Sequence, residues 1–148
     1  MATSALFVLF LASPVLLAQG GGLPPVPAGQ AHLLPVDGIA LIELTAPNVP
    51  ALLKEDLERR DAGLAPRFAL ANERHLTPDE AGTWESLDRE TLLWRLRIRA
   101  RGSLSLNLGF TRFRLTAGAR LFLYSADQVH VVQPFTARDN EAHGELWT

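Results

Sequence analysis

Between Thr91 and Phe110 apolar and polar residues alternate with a period of two, a pattern that a half-buried β-strand satisfies and an α-helix does not. In 91–100, Trp94, Leu96, Ile98 and Ala100 fall on one side, and Arg95, Arg97 and Arg99 on the other. In 103–110, Leu104, Leu106, Leu108 and Phe110 oppose Ser103, Ser105, Asn107 and Gly109. A chain with such segments is committed to sheets with one apolar face.

The rest of the carboxyl-terminal half repeats the pattern in short pieces. From 67–70 onward, strand-like runs are separated by turn signals at 77–82, Arg101-Gly102, Ala117-Gly118 and Asp139-Asn140,. The stretch 112–125 predicts a strand, a turn and a second strand; 129–135 and 145–147 predict two more. Upstream, 38–44 predicts a first strand. The stretch 48–63 predicts a short amphipathic helix, with Asn48 at the N-cap, Pro50 in the first turn and Gly63 as its stop,. The expected fold is mainly β: an antiparallel β-sandwich with one short amino-terminal helix.

The arginines need an explanation. Residues 91–120 hold seven arginines and no acid, whereas 55–90 hold ten acids and five arginines. Three roles are open to such a stripe: a sheet face neutralised by the acidic segment, a docking face for an acidic partner, or a nucleic-acid surface. The formal net charge of −2 and the lack of interleaved aromatics disfavour nucleic acid. Long arginine stems covering apolar area, with acids nearby, is the expectation. For docking, the face is Arg95, Arg97, Arg99, Arg112 and Arg114.

At the amino terminus an apolar run from Ala5 to Ala18 is broken only by Ser13 and Pro14 and is followed by Gln19-Gly20-Gly21-Gly22. It is too short to span a bilayer, and small residues follow it, so residues 1–20 are expected to be a secretory signal peptide, although no Lys or Arg precedes Lys54,. The expected organisation is signal peptide 1–20, Pro/Gly-rich linker 21–37 and a β-sandwich region 38–148, in a secreted or periplasmic protein with no membrane span after cleavage. There are no cysteines, hence no disulfide or thiolate chemistry.

Catalytic patterns are weak. His32, His75, His130 and His143 are scattered without ligand spacing, no serine lies in a nucleophile elbow, and Gly20-Gly21-Gly22 precedes no helix,. Glu85 with Asp88, or Glu141 with Glu145, could form an acid pair only in a pocket. No catalytic residue, metal site or cofactor is expected.

Several stretches together do point to a family. They are 67–70, 76–87 with Gly82-Thr83-Trp84, and 93–127 with Trp94-Arg95-Leu96-Arg97-Ile98, Ser105-Leu106-Asn107, Phe110, Phe113 and the 121–124 strand. The last is 134–148, with Asp139-Asn140 and Gly144-Glu145-Leu146-Trp147-Thr148. This part of the chain resembles the amino-terminal non-catalytic region of bacterial secreted trypsin-like peptidases of the lysyl endopeptidase type. The resemblance implies a β-rich pro-domain that assists folding of, or masks, a trypsin-like protease domain. No position matches a His/Asp/Ser triad, and the chain stops where relatives continue, so a truncated frame lacking the last strands is expected. The alternative is a free-standing extracellular module binding carbohydrate or a cell-surface polymer, with Trp84 and Tyr124 as platform aromatics; exposure of Trp84 would favour it.

Overall fold

The structure is a computed structural model that describes residues 5–12, 33–125 and 130–148. In chain order its elements are β1 (Ala5–Ala12), β2 (Leu41–Leu44), α1 (Val49–Asp61), β3 (Thr83–Ser86), β4 (Thr91–Ala100), β5 (Gly109–Phe110), β6 (Arg120–Ser125), β7 (Val131–Thr136) and β8 (Leu146–Trp147). The protein is mainly β with a single α-helix among the described residues. No helix there is long and apolar enough to cross a membrane.

Strand β4 is the axis of the molecule. One of its edges pairs with β1; the other is shared end to end by β3, antiparallel over residues 92–95, and β2, parallel over residues 97–100. The large sheet therefore runs β2-β4-β1-β6-β7, with β3 beside β4. The parallel β2 corrects the all-antiparallel expectation, and its cause is the excursion after it. Residues 45–82 leave the sheet through α1 and return at β3, so two separate segments fill one edge.

Helix α1 begins and ends where its residue types dictate. The Asn48 side-chain oxygen accepts the Ala51 N–H at 3.2 Å, and Gly63, at a φ of 71°, closes the last turn by donating to the Arg60 carbonyl,. None of its residues is buried. It is steadied by Arg67, whose guanidinium meets Glu55 at 2.6 Å and Asp56 at 3.1 Å. Residues 64–77 carry no regular structure, against the strand expected from 67–70. Phe68 is 96% exposed, so nothing there rewards a ladder.

The core lies on both faces of β4. On one face Trp94, Leu96 and Ile98 pack with Ala40, Ile42, Leu44, Leu106 and Leu108, continuous with a cluster of Phe113, Leu115, Ala119, Leu121 and Leu123 under Phe110, Phe135 and Leu146. The short β5–β8 pair caps this second cluster. Its rings sit at tilted and edge geometries, 5.8 Å between Phe110 and Phe113 and 6.4 Å between Phe113 and Phe135,. The alternation predicted for 103–110 survives as inward Leu106, Leu108 and Phe110, but only 109–110 forms a ladder and Leu104 points outward.

Side chains complete the pairing where the backbone does not. Asn140 accepts the Leu115 N–H and donates to the Leu115 carbonyl, both at 2.8 Å, imitating a strand neighbour. The Phe113 N–H donates to the Gly144 carbonyl at 2.6 Å, and Thr148 bonds Leu108 through backbone and hydroxyl. Replacing Asn140 with Ala orphans both polar groups of the buried Leu115 and is expected to cost about 2–3 kcal/mol. Urea denaturation checks this; a loss under about 0.5 kcal/mol would show that water replaces the amide.

Candidate functional site

The arginine stripe of β4 is densely bonded within the chain. Because side chains alternate along a strand, Leu93, Arg95, Arg97 and Arg99 share one face. On the neighbouring strands, the register sets Thr83 and Glu85 of β3 and Leu41 and Glu43 of β2 beside them. Arg95 is 3% exposed. Its Nε donates to Glu85 Oε2 at 2.6 Å, its Nη2 pairs with the same carboxylate, and Nη2 also donates to the Leu34 carbonyl at 2.8 Å. The other oxygen of Glu85 accepts the Leu34 N–H at 2.6 Å.

One ion pair thus takes both backbone groups of a residue far away in sequence. Arg97 continues the pattern. It donates to the carbonyls of Asp37 and Ile39 at 2.9 and 3.1 Å and reaches Asp37 Oδ1 at 3.3 Å. Thr83 Oγ1 accepts the Ala40 N–H at 3.0 Å. Leu33 and Val36 meanwhile pack on Leu93, Phe122 and Tyr124. Residues 33–40 are therefore strapped across the arginine face by their own backbone, through a 3-10 turn at Val36–Gly38. The linker assigned to 21–37 ends in this strap; its earlier residues lie outside those described, as does most of the segment assigned to a leader, whose residues Ala5–Ala12 form β1.

The five arginines of the expected docking face divide here. Arg95 and Arg97 are spent on the strap, and Arg99 joins Arg101 on Glu43, at 3.0 Å each. Hydrogen bonds from Arg101 first, then Arg99, hold the Glu43 carboxyl below its ordinary range,. Two of the counter-charges, Asp37 and Glu43, come from outside the acidic stretch 55–90, so that stretch does not neutralise the stripe as a block. Arg112 and Arg114 stand apart on the outer side of an extended run whose inner side is Phe113 and Leu115. Both are exposed, and neither forms an ion pair with a described residue.

The acids suspected of pairing do different work. Glu85 is the anchor of Arg95. Asp88 accepts the N–H groups of Glu90 and Thr91 at 2.8 Å each, and the Glu90 bond is the first cause of its lowered pKa. Among the described residues no three His, Asp or Glu side chains converge on a metal-sized site. The platform aromatics also divide. Tyr124 is buried, whereas Trp84 is 41% exposed, its Nε1 donating to the Pro78 carbonyl at 2.9 Å.

Burial pushes the Tyr124 hydroxyl up from 10.0 to about 12, against a small opposing pull from Arg95. Because the folded pKa is raised, the protonated phenol is favoured in the fold. Its contribution is complete below pH 10 and is lost as pH rises from about 10 to about 12, on the order of 2–3 kcal/mol in all. Spectrophotometric titration is expected to show phenolate forming near pH 12 and together with unfolding; ionisation near pH 10 in the folded protein would place Tyr124 in water.

A scan against models of known protein families and a search of solved structures found no match to this chain.

Proposed function

We propose that this chain is a non-catalytic, pro-domain-like region of a secreted or periplasmic trypsin-like serine endopeptidase precursor of the lysyl endopeptidase type, assisting the folding of the protease domain or masking it. The observation that carries this reading is where the residues of the resemblance sit. Gly82 and Trp94 meet face to face, Asn140 clasps Leu115, Gly144 receives Phe113, and Trp147 covers Gly109. Motif residues at the junctions of a β-unit are what a scaffold for docking requires. In the same reading the β5–β8 pair begins the second sheet of a sandwich.

Such a domain would act by binding the native protease better than the unfolded one. With Arg95, Arg97 and Arg99 engaged within the chain, Arg112 and Arg114 are the part of the face left to meet an acidic partner surface. The test is refolding of a denatured trypsin-like protease domain of this type with and without stoichiometric chain, read as recovered peptidase activity. A severalfold rise is expected, reduced by Arg112→Glu with Arg114→Glu. No change in yield or rate at any ratio sinks the proposal.

Exposure of Trp84 favours the second reading, an extracellular module for carbohydrate or cell-surface polymer. Its mark would be quenching of tryptophan emission by a polysaccharide, abolished in Trp84→Ala.

A further inference from the structure

Strand β1 has an unusual position for a segment at the edge of the sequence. It lies between β4 and β6 and is antiparallel to both: Ala5 is opposite Ile98 and Ser125, Val8 opposite Arg95 and Phe122, and Leu9 opposite Trp94 and Leu121. The two walls therefore run parallel to each other and are joined by the long crossover 101–119, not by a hairpin.

The walls are held in relation to each other by residues outside β1. On one face Leu108 packs against both the Trp94–Leu96–Ile98 cluster of β4 and the Leu121–Leu123 cluster of β6. On the other, Leu33 and Val36 of the strap lie against the cluster formed by Leu93 of β4 with Phe122 and Tyr124 of β6. The strap is fixed independently by Arg95, Glu85 and Arg97. The gap thus has a floor, a roof and two hydrogen-bonding sides.

We propose that the space between β4 and β6 is a strand-acceptor slot, a binding site for one extended apolar segment running antiparallel to both walls, with residues 5–12 as its occupant in this chain. Main-chain hydrogen bonds to two edges give affinity, as in strand addition to an exposed sheet edge, with both sides of the added strand used at once. The sequence "ALFVLFLA" suits such a place, since it is uncharged and free of proline and glycine,. The proposal does not depend on the protease reading. It does link export to folding, because the residues expected to leave as a signal peptide are those that fill the slot.

The test uses the full chain with a site-specific protease sequence placed within residues 23–28. After cutting, the amino-terminal piece is expected to co-elute with the remainder under native conditions. The amides of Leu96 and Phe122, which lie on the β1 edges of β4 and β6, should stay protected from hydrogen exchange,. A lysine-flanked peptide containing ALFVLFLA should compete for the slot, and the same peptide with proline at the Val8 position should bind at least about tenfold more weakly, because it lacks an N–H and clashes within a central strand. Separation of the pieces with an unchanged unfolding midpoint, unchanged exchange and no peptide uptake would overturn the proposal, since β4 and β6 would then close without a third strand. In the uncut chain, Val8→Pro provides a second check: the protection of Leu96 and Phe122 should fall, and no change in it also counts against the slot.

Discussion

Replacing Arg95 with Met is expected to destabilise the protein by about 3–5 kcal/mol, the cost of leaving a buried carboxylate without its counter-ion. The side chains of Arg95 and Glu85 are 3% and 9% exposed, so water cannot take the place of the guanidinium. The Leu34 carbonyl would lose its donor as well. In Arg95→Met with Glu85→Leu the stranded charge is gone, but Leu34 loses the partners of both its N–H and its C=O. The double variant should therefore recover part of the loss, not all of it. Denaturant titration of the two variants separates the terms. A loss of less than about 1 kcal/mol for the single substitution would mean that the pair is solvated and that Arg97, Thr83 and the packing of Leu33 and Val36 suffice to hold the strap,.

The second large effect belongs to Gly82. A Cβ built there would stand 2.3 Å from Trp94 Nε1, and the residue has a φ of +89°. Trp94 cannot swing aside, since its Nε1 donates to the Ala81 carbonyl at 2.6 Å and its ring is packed with Leu96 and Ile98. Gly82→Ala combines about 1–2 kcal/mol for a left-handed backbone with about 1–3 kcal/mol of overpacking. Gly102, at a φ of +76° with nothing within 4 Å of its would-be Cβ, supplies the comparison. Gly102→Ala should show the backbone cost alone, and equal melting temperatures for the two variants would remove the close approach from the account.

The sequence showed some of this and hid the rest, for physical reasons. Strand β4 was legible because it alternates cleanly from Trp94 to Ala100, and α1 because Asn48 and Gly63 mark its ends. What alternation cannot tell is whether the polar face meets water. The Arg95 side of β4 is covered by residues 33–40, of which 33–37 fall in the stretch read as linker and 38–40 in the stretch read as strand, because backbone groups, not side chains, hold them. A partial signal was present: three alternate arginines on β4, and two lone acids, Asp37 and Glu43, beside the first strand-like run; Glu85 was hidden among the ten acids of 55–90. Parallel β2 was not legible, since period-two patterning is blind to strand direction. The division of the docking arginines had the same source, because Arg112 and Arg114 resemble Arg95 and Arg97 until their surroundings are known.

The pairing of Ala5–Ala12 also sets an order of events during synthesis. The partner nearest in sequence to Ala12 is Thr91, and that of Ala5 is Ile98. At roughly 5–20 residues per second, on the order of 4–16 s pass between the appearance of the first strand and that of its first neighbour. For that interval eight consecutive uncharged residues have no sheet to join. Any factor that binds extended apolar chain at the ribosome therefore has these seconds to meet the segment before β4 does.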